Sequence, residues 1–135
     1  MSSNPVAVKL VVATSSATIA ATLTYTNTSS ENAFIEKING CLDGHIDNNV
    51  FELTADNRRI DYTGILVKRR APGPDDFVKL PPGEKLITTV RLEETYEFLP
   101  GSHTYRVVYS ALHSYPEHPG FIELKSNEEK FSFTK

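Results

Sequence analysis

The chain has one cysteine, one methionine, no tryptophan and no long apolar run among its 135 residues. With Cys41 alone, no intrachain disulfide can form, which suits a reducing compartment. A membrane helix needs about 20 mostly apolar residues. Residues 10–23 come nearest, and Thr or Ser interrupts them at every second or third position. The start, Met1-Ser-Ser-Asn-Pro-Val-Ala-Val-Lys9, lacks the basic segment and apolar core of a secretory signal. A cytoplasmic location is therefore expected and no membrane partner, although non-classical secretion would leave no such mark. Net charge is −3, which gives no global attraction to nucleic acid or to anionic lipid.

Catalytic and cofactor signatures are equally scarce. No His-Glu-x-x-His pair is present to hold zinc on a helix, and no Gly-x-Ser-x-Gly elbow presents a nucleophile. The seven glycines stand singly at turns, so no phosphate-cradling loop exists. Cys41 follows Asn39-Gly40 with no neighbouring base to activate it, and reads as a buried or tolerated thiol. Two histidines, His113 and His118, flank a Pro-containing stretch with Glu117 beside the second; a solvated loop accounts for them better than a metal site. The acid pairs Asp75-Asp76 and Glu93-Glu94 face opposite ways if extended, so neither is a ready catalytic pair. No catalytic residue, no metal site and no cofactor are expected. Without tryptophan or an exposed aromatic row, carbohydrate binding has little support.

What is present is alternation. Val6, Val8, Leu10 and Val12 form one period-two run, and Ile19, Ala21, Leu23 and Tyr25 form another whose outer face is rich in Thr. The two are expected to form a hairpin or to open two facing sheets. Phe51 to Tyr62 reads as a hairpin turning at Ala55-Asp-Asn57. Leu86, Thr88, Val90 and Leu92 alternate after the Pro81-Pro82-Gly83 turn, and Tyr105, Val107 and Tyr109 share a face. Ser126-Asn-Glu128 reads as a tight turn before a last strand at Phe131 and Phe133. Short strands with turn signals about every ten residues, and no sustained helical period, predict an all-β fold. The expectation is a single domain over 1–135, an antiparallel Ig-like β-sandwich of about seven to nine strands. Phe77, Leu80, Tyr96 and Tyr105 are expected in its core.

One stretch exceeds what a hairpin needs. Between Phe51–Tyr62 and Phe77–Leu92 lies a basic, Pro-rich loop that runs from Leu66 to Asp76. Long irregular loops on sheet proteins are usually functional or disordered. The candidate partner-binding residues are Leu66, Val67, Lys68, Arg69, Arg70, Pro72, Asp75 and Asp76. Three adjacent cations raise nucleic acid as a partner. The acids that follow at once, and the lack of interleaved aromatics, argue against it.

Two resemblances add to this. Leu23-Thr-Tyr-Thr-Asn-Thr28, Leu80-Pro-Pro-Gly-Glu84 and Gly101-Ser-His-Thr-Tyr-Arg-Val-Val-Tyr109 are loosely similar to Ig-like modules, including bacterial intracellular proteinase inhibitors. More specifically, Phe51-Glu-Leu-Thr54, Tyr62-Thr-Gly64, Leu66-Val-Lys-Arg69, Pro72, Pro74, Asp76-Phe77, Leu80, Pro82-Gly-Glu84, Val90, Leu92 and Tyr96 resemble the N-terminal propeptide of deuterolysin-type (aspzincin) metallopeptidases. The peptidyl-Lys endopeptidase branch is the most similar, over about residues 20–110. The zinc catalytic domain that follows in that family, and the secretion signal before it, are not in this sequence. The resemblance implies a non-catalytic protein that binds an aspzincin-type metallopeptidase as inhibitor or folding chaperone. Lys68 would enter the specificity pocket of a Lys-directed enzyme, and Asp75, Asp76 or a nearby carbonyl would approach the zinc. The alternative is a generic Ig-like interaction or adhesion module with no peptidase partner, binding through an exposed strand edge. A monomer or weak homodimer is expected.

Overall fold

Alternation along the first two runs becomes a hairpin because each run buries every second side chain. A computed structural model describes residues 6–65, 73–115 and 118–135. Its strands are β1 (Val6–Thr14), β2 (Ile19–Asn27), β3 (Ala33–Glu36), β4 (Phe51–Ala55), β5 (Arg58–Arg59), β6 (Phe77–Leu80), β7 (Lys85–Arg91), β8 (Ser102–Tyr115), β9 (His118–Lys125) and β10 (Glu129–Thr134). Two 3-10 turns, Pro74–Asp76 and Leu92–Glu94, are the helical elements among the described residues. The fold is all-β with several antiparallel sheets. Ten strands are described where about seven to nine were expected.

One sheet has the order β1-β2-β7, a second β10-β8-β4-β5 with β9 also on β8, and β3 pairs with β6. Val6, Val8 and Leu10 of β1, with Ile19, Ala21, Leu23 and Tyr25 of β2, point inward. They join Phe51 and Leu53 of β4 and Tyr105, Val107 and Tyr109 of β8 in one buried cluster. Leu80 and Tyr96 are buried there as expected, whereas Phe77 is only half-buried. At the β4–β5 hairpin Asp56 and Asn57 both take positive φ, 52° and 62°, the backbone that a tight two-residue turn between right-twisted strands requires.

The last third of the chain departs from the sequence expectation. β9 pairs with β8 from Ser110↔Lys125 to Tyr115↔His118, and β10 pairs with it from Glu129↔Val107 to Thr134↔Ser102. Residues 118–134 therefore run antiparallel along one edge of β8. Ser126-Asn-Glu128 is not a tight turn but an outward break in that edge, where Ser126 N–H donates to Tyr109 O (2.9 Å) and Tyr109 N–H to Ser126 Oγ (2.9 Å). Likewise His113 lies on a strand, not in a loop.

That break fastens the first strand. β1 is the edge of its sheet, and its outward backbone groups are met by the 126–129 segment. Val8 bridges Ser126. Leu10 N–H donates to Asn127 Oδ1 (2.8 Å), and Asn127 Nδ2 donates to Leu10 O (3.1 Å). Val12 N–H donates to Glu129 Oε1 (3.3 Å). A primary amide offers a donor and an acceptor side by side, as a strand backbone does, so Asn127 supplies one rung of a missing ladder.

A polar knot joins the turn after β3 to the core. Glu36 N–H donates to Nδ1 of His113 (3.2 Å), so Nε2 carries the proton and faces Tyr109 Oη (2.8 Å). Tyr109 in turn donates to Asn39 O (2.6 Å), and Tyr25 Oη donates to Gly40 O (2.8 Å). His113, Tyr109 and Tyr25 are fully buried. These bonds satisfy polar groups that would otherwise be costly in the interior.

Candidate functional site

The Leu66–Asp76 loop is best built from its two feet. At the first, residues 61–63 run beside 95–97. Glu97 N–H donates to Asp61 O (2.9 Å), Thr63 N–H donates to Thr95 O (2.8 Å), and Tyr62 bridges Tyr96. The Tyr62 and Tyr96 rings lie 5.3 Å apart. Tyr96 is itself pinned: its hydroxyl accepts Phe51 N–H (3.1 Å) and donates to Asn49 Oδ1 (2.7 Å). Burial raises the Tyr96 phenol above its ordinary range, so the hydroxyl stays protonated and keeps donating. Tyr62 Oη donates to Ile65 O, curling the chain at the point where the loop departs. Gly64 fits under that curl because a β-carbon there would lie 2.7 Å from Tyr62 Oη and 2.9 Å from Thr95 Cγ2. Beyond it Ile65 is 63% exposed.

The second foot is the 3-10 turn Pro74–Asp76. Asp76 Oδ2 accepts Gly73 N–H (2.7 Å), Asp76 N–H donates to Gly73 O (3.0 Å), and Asp76 O accepts Lys37 N–H (2.9 Å). The two acids that look equivalent in sequence are thus separated. Asp76 caps the turn and ties it to the segment after β3, while Asp75 stands exposed. β6 continues from this turn, and Asn27 holds its far end, donating to Leu80 O (2.8 Å) and to Glu31 O (2.7 Å). Of the candidate residues, Asp75 and Asp76 are placed together at this foot. Leu66, Val67, Lys68, Arg69, Arg70 and Pro72 lie outside the described residues.

Sequence reasoning passed over the framing groups, although Tyr62, Gly64 and Tyr96 all stand in the stretch that carries the resemblance. The available signal was a Gly two residues after a Tyr at a loop entrance, which suits a close approach.

Two other places hold polar chemistry. An open groove of about 690 Å³ lies between Ser15–Ser16 and the ends of β8 and β10. His103 there has Nδ1 3.0 Å from Asp56 Oδ2 and Nε2 2.9 Å from Pro100 O. The lining hydroxyls bond one another, Ser102 with Thr134 (2.7 Å) and Thr104 with Ser132 (3.4 Å). Both imidazole nitrogens are engaged by Asp56 and Pro100, so neither is paired with a lining hydroxyl as the base of a nucleophile would be. Among the described residues no group of three His, Cys, Asp or Glu side chains is arranged to hold a metal ion.

The second place is Cys41, buried beneath the turn at φ 56°. Burial, then the nearby Asp43 and Asp47 carboxylates, push its thiol up to about 12. Below that pH it stays a thiol, and the thiolate is the reactive form. Native chain at pH 8 should therefore resist iodoacetamide for hours and label within minutes once unfolded in guanidinium. Mass spectrometry would read this, and rapid native labelling would contradict the burial.

No protein-family model matches the chain, and no curated protein matches it either. Among the described residues no helix is long and apolar enough to cross a membrane.

Proposed function

We propose that the chain is a non-catalytic, Ig-like β-sandwich protein that binds a zinc metallopeptidase of the deuterolysin type, as inhibitor or folding chaperone, through its Leu66–Asp76 segment. The observation that carries this reading is the mounting of the segment. Its two feet are fixed by backbone bonds to separate parts of the framework, at Thr95 and Glu97 on one side and at Lys37 on the other. A loop held at both ends, and stiffened by proline, loses less freedom on docking into a cleft than a slack one. The resemblance of the same stretch to an aspzincin propeptide supplies the partner class. Lys68 is the residue assigned to the specificity pocket, and Asp75, which is exposed, is assigned to the approach to the metal. The Ig-like assignment is supported by inward faces that share one core and by Tyr105, whose hydroxyl accepts Leu99 N–H (3.1 Å) in the manner of a tyrosine corner. A single thiol fits a cytoplasmic setting.

Purified chain should inhibit a deuterolysin-type peptidase and co-elute with it. Lys68→Ala, Arg69→Ala and Arg70→Ala together should weaken inhibition at least tenfold. Inhibition untouched by the triple change would move the contact elsewhere on the chain. No inhibition and no complex would remove the reading.

A further inference from the structure

β1 and the 126–129 segment run parallel, and Asn127 and Glu129 hold them together as far as Val12. Beyond Glu129 no hydrogen bond joins β1 to β10 among the described residues. The groove of about 690 Å³ opens there, with Ser15 and Ser16 on one side and Ser132, Phe133 and Thr134 on the other. Its β10 wall carries backbone groups that the sheet leaves unused. Gly101 and Lys135 exchange both of their N–H to O bonds (3.2 and 3.1 Å), and along an antiparallel pair such residues alternate. Phe131 and Phe133 therefore turn their amides to β8, and Ser132 and Thr134 turn theirs outward. Among the described residues neither meets a backbone partner on that side.

Side chains add more donors and acceptors. Ser102 with Thr134, and Thr104 with Ser132, each use one hydroxyl proton between them, which leaves the other proton and several lone pairs of each pair available. Asp56 meets His103 through Oδ2, and its side chain is still 65% exposed. His103 has both nitrogens engaged, and the lining holds no Lys or Arg, so an anion finds no free cation. Phe133 is the one aromatic residue of the lining and is 9% exposed, so an apolar ligand finds no wall.

We propose that this groove binds a neutral, hydroxyl-rich small molecule, a saccharide of one or two rings. A hydroxyl both donates and accepts, so a sugar can answer N–H, C=O, hydroxyl and carboxylate groups set side by side. An anion would only accept and an ammonium would only donate. The volume lies within the usual range for small-molecule sites. The chain has no tryptophan to stack on a sugar face, and the groove grips edges instead, through hydrogen bonds. It shares no residue with the Leu66–Asp76 loop, and the inference does not depend on the peptidase reading.

The test titrates the full chain, labelled with ¹⁵N, and follows its amide chemical shifts. Methyl glucoside, methyl mannoside, methyl galactoside and maltose are the sugars, with inorganic phosphate and cyclohexanol as anionic and apolar counterparts. At least one sugar should shift the Ser16, His103, Ser132 and Thr134 amides saturably. Half-saturation is expected at about 1–10 mM, since an open groove that binds through hydroxyls gains little over water. Phosphate and cyclohexanol should bind at least tenfold more weakly. Asp56→Asn tolerates the same positive φ of 52° and still accepts from His103. It should weaken sugar binding about tenfold by removing the charged acceptor. Ser16→Tyr, on an exposed turn, should fill the groove and abolish binding. Dispersed amide spectra check that the variants fold, and Asp56→Asn decides alone if Ser16→Tyr does not. The loop change Lys68→Ala, Arg69→Ala and Arg70→Ala should leave sugar binding unaltered. No saturable shift with any of the four sugars, shifts centred away from the groove, or an unchanged affinity in Asp56→Asn would overturn the proposal. So would phosphate or cyclohexanol binding as tightly as the best sugar.

Discussion

Tyr109→Ala should lower the unfolding free energy by about 4 kcal/mol, the usual scale for emptying an aromatic site in a core. Native domains hold only about 5–15 kcal/mol in total, so the variant should be marginal at 37 °C. Three losses combine. The ring is fully buried and meets Tyr25 and Phe51 edge-on, with centroids 6.0 Å and 5.7 Å away. Its hydroxyl is the acceptor for His113 Nε2 and the donor to Asn39 O, and neither group has water to turn to. Tyr109→Phe separates the terms: it keeps the ring and strands the two polar partners, at about 1–3 kcal/mol. Urea denaturation with an unchanged slope would measure both. A loss below about 1 kcal/mol for the Ala variant would mean that the core closes over the gap and that the polar knot contributes little.

Asn127→Ala should cost about 2 kcal/mol, which is large for an exposed residue and follows from its two bonds to Leu10. The wider consequence is an opened edge. β1 would then present unpaired N–H and C=O groups along a strand of high β-propensity, a ready template for another chain. Faster exchange of the Leu10 amide and concentration-dependent association in sedimentation should accompany the loss of stability. Asn127→Gln shifts the same amide outward by one methylene and should fail to rescue. Unchanged Leu10 exchange in the Ala variant would show that Val8–Ser126 and Glu129 hold the edge without it.

Local pattern was enough for much of the framework. Period-two burial in Val6–Leu10, Ile19–Tyr25 and Tyr105–Tyr109 follows from hydrophobicity alone, and Asp56-Asn57 announced its turn through the two residue types that best tolerate positive φ. Ser126-Asn-Glu128 was misread because the same small polar residues suit a turn and a break in an edge equally well. What decides between them is Leu10, far away in sequence. His113 was misread for a related reason: prolines three and six residues on suggested a loop, while its partners, Glu36 and Tyr109, come from the end of β3 and from its own strand. At the candidate site, adjacent acids gave no hint that Asp76 would cap a 3-10 turn and Asp75 would not. That distinction depends on where Gly73 N–H points.

The Leu10–Asn127 bond spans 117 residues, and that span sets a timetable for biosynthesis. At about 5–20 residues per second, β1 would leave the ribosome roughly 6–23 seconds before the segment that closes it. Throughout that interval the nascent hairpin of β1 and β2 has its outer backbone exposed to whatever chain is near. A chaperone that holds the first thirty or so residues until the last strands emerge would act on the one period in which this fold is open to mispairing, and slowing translation would lengthen that period in proportion.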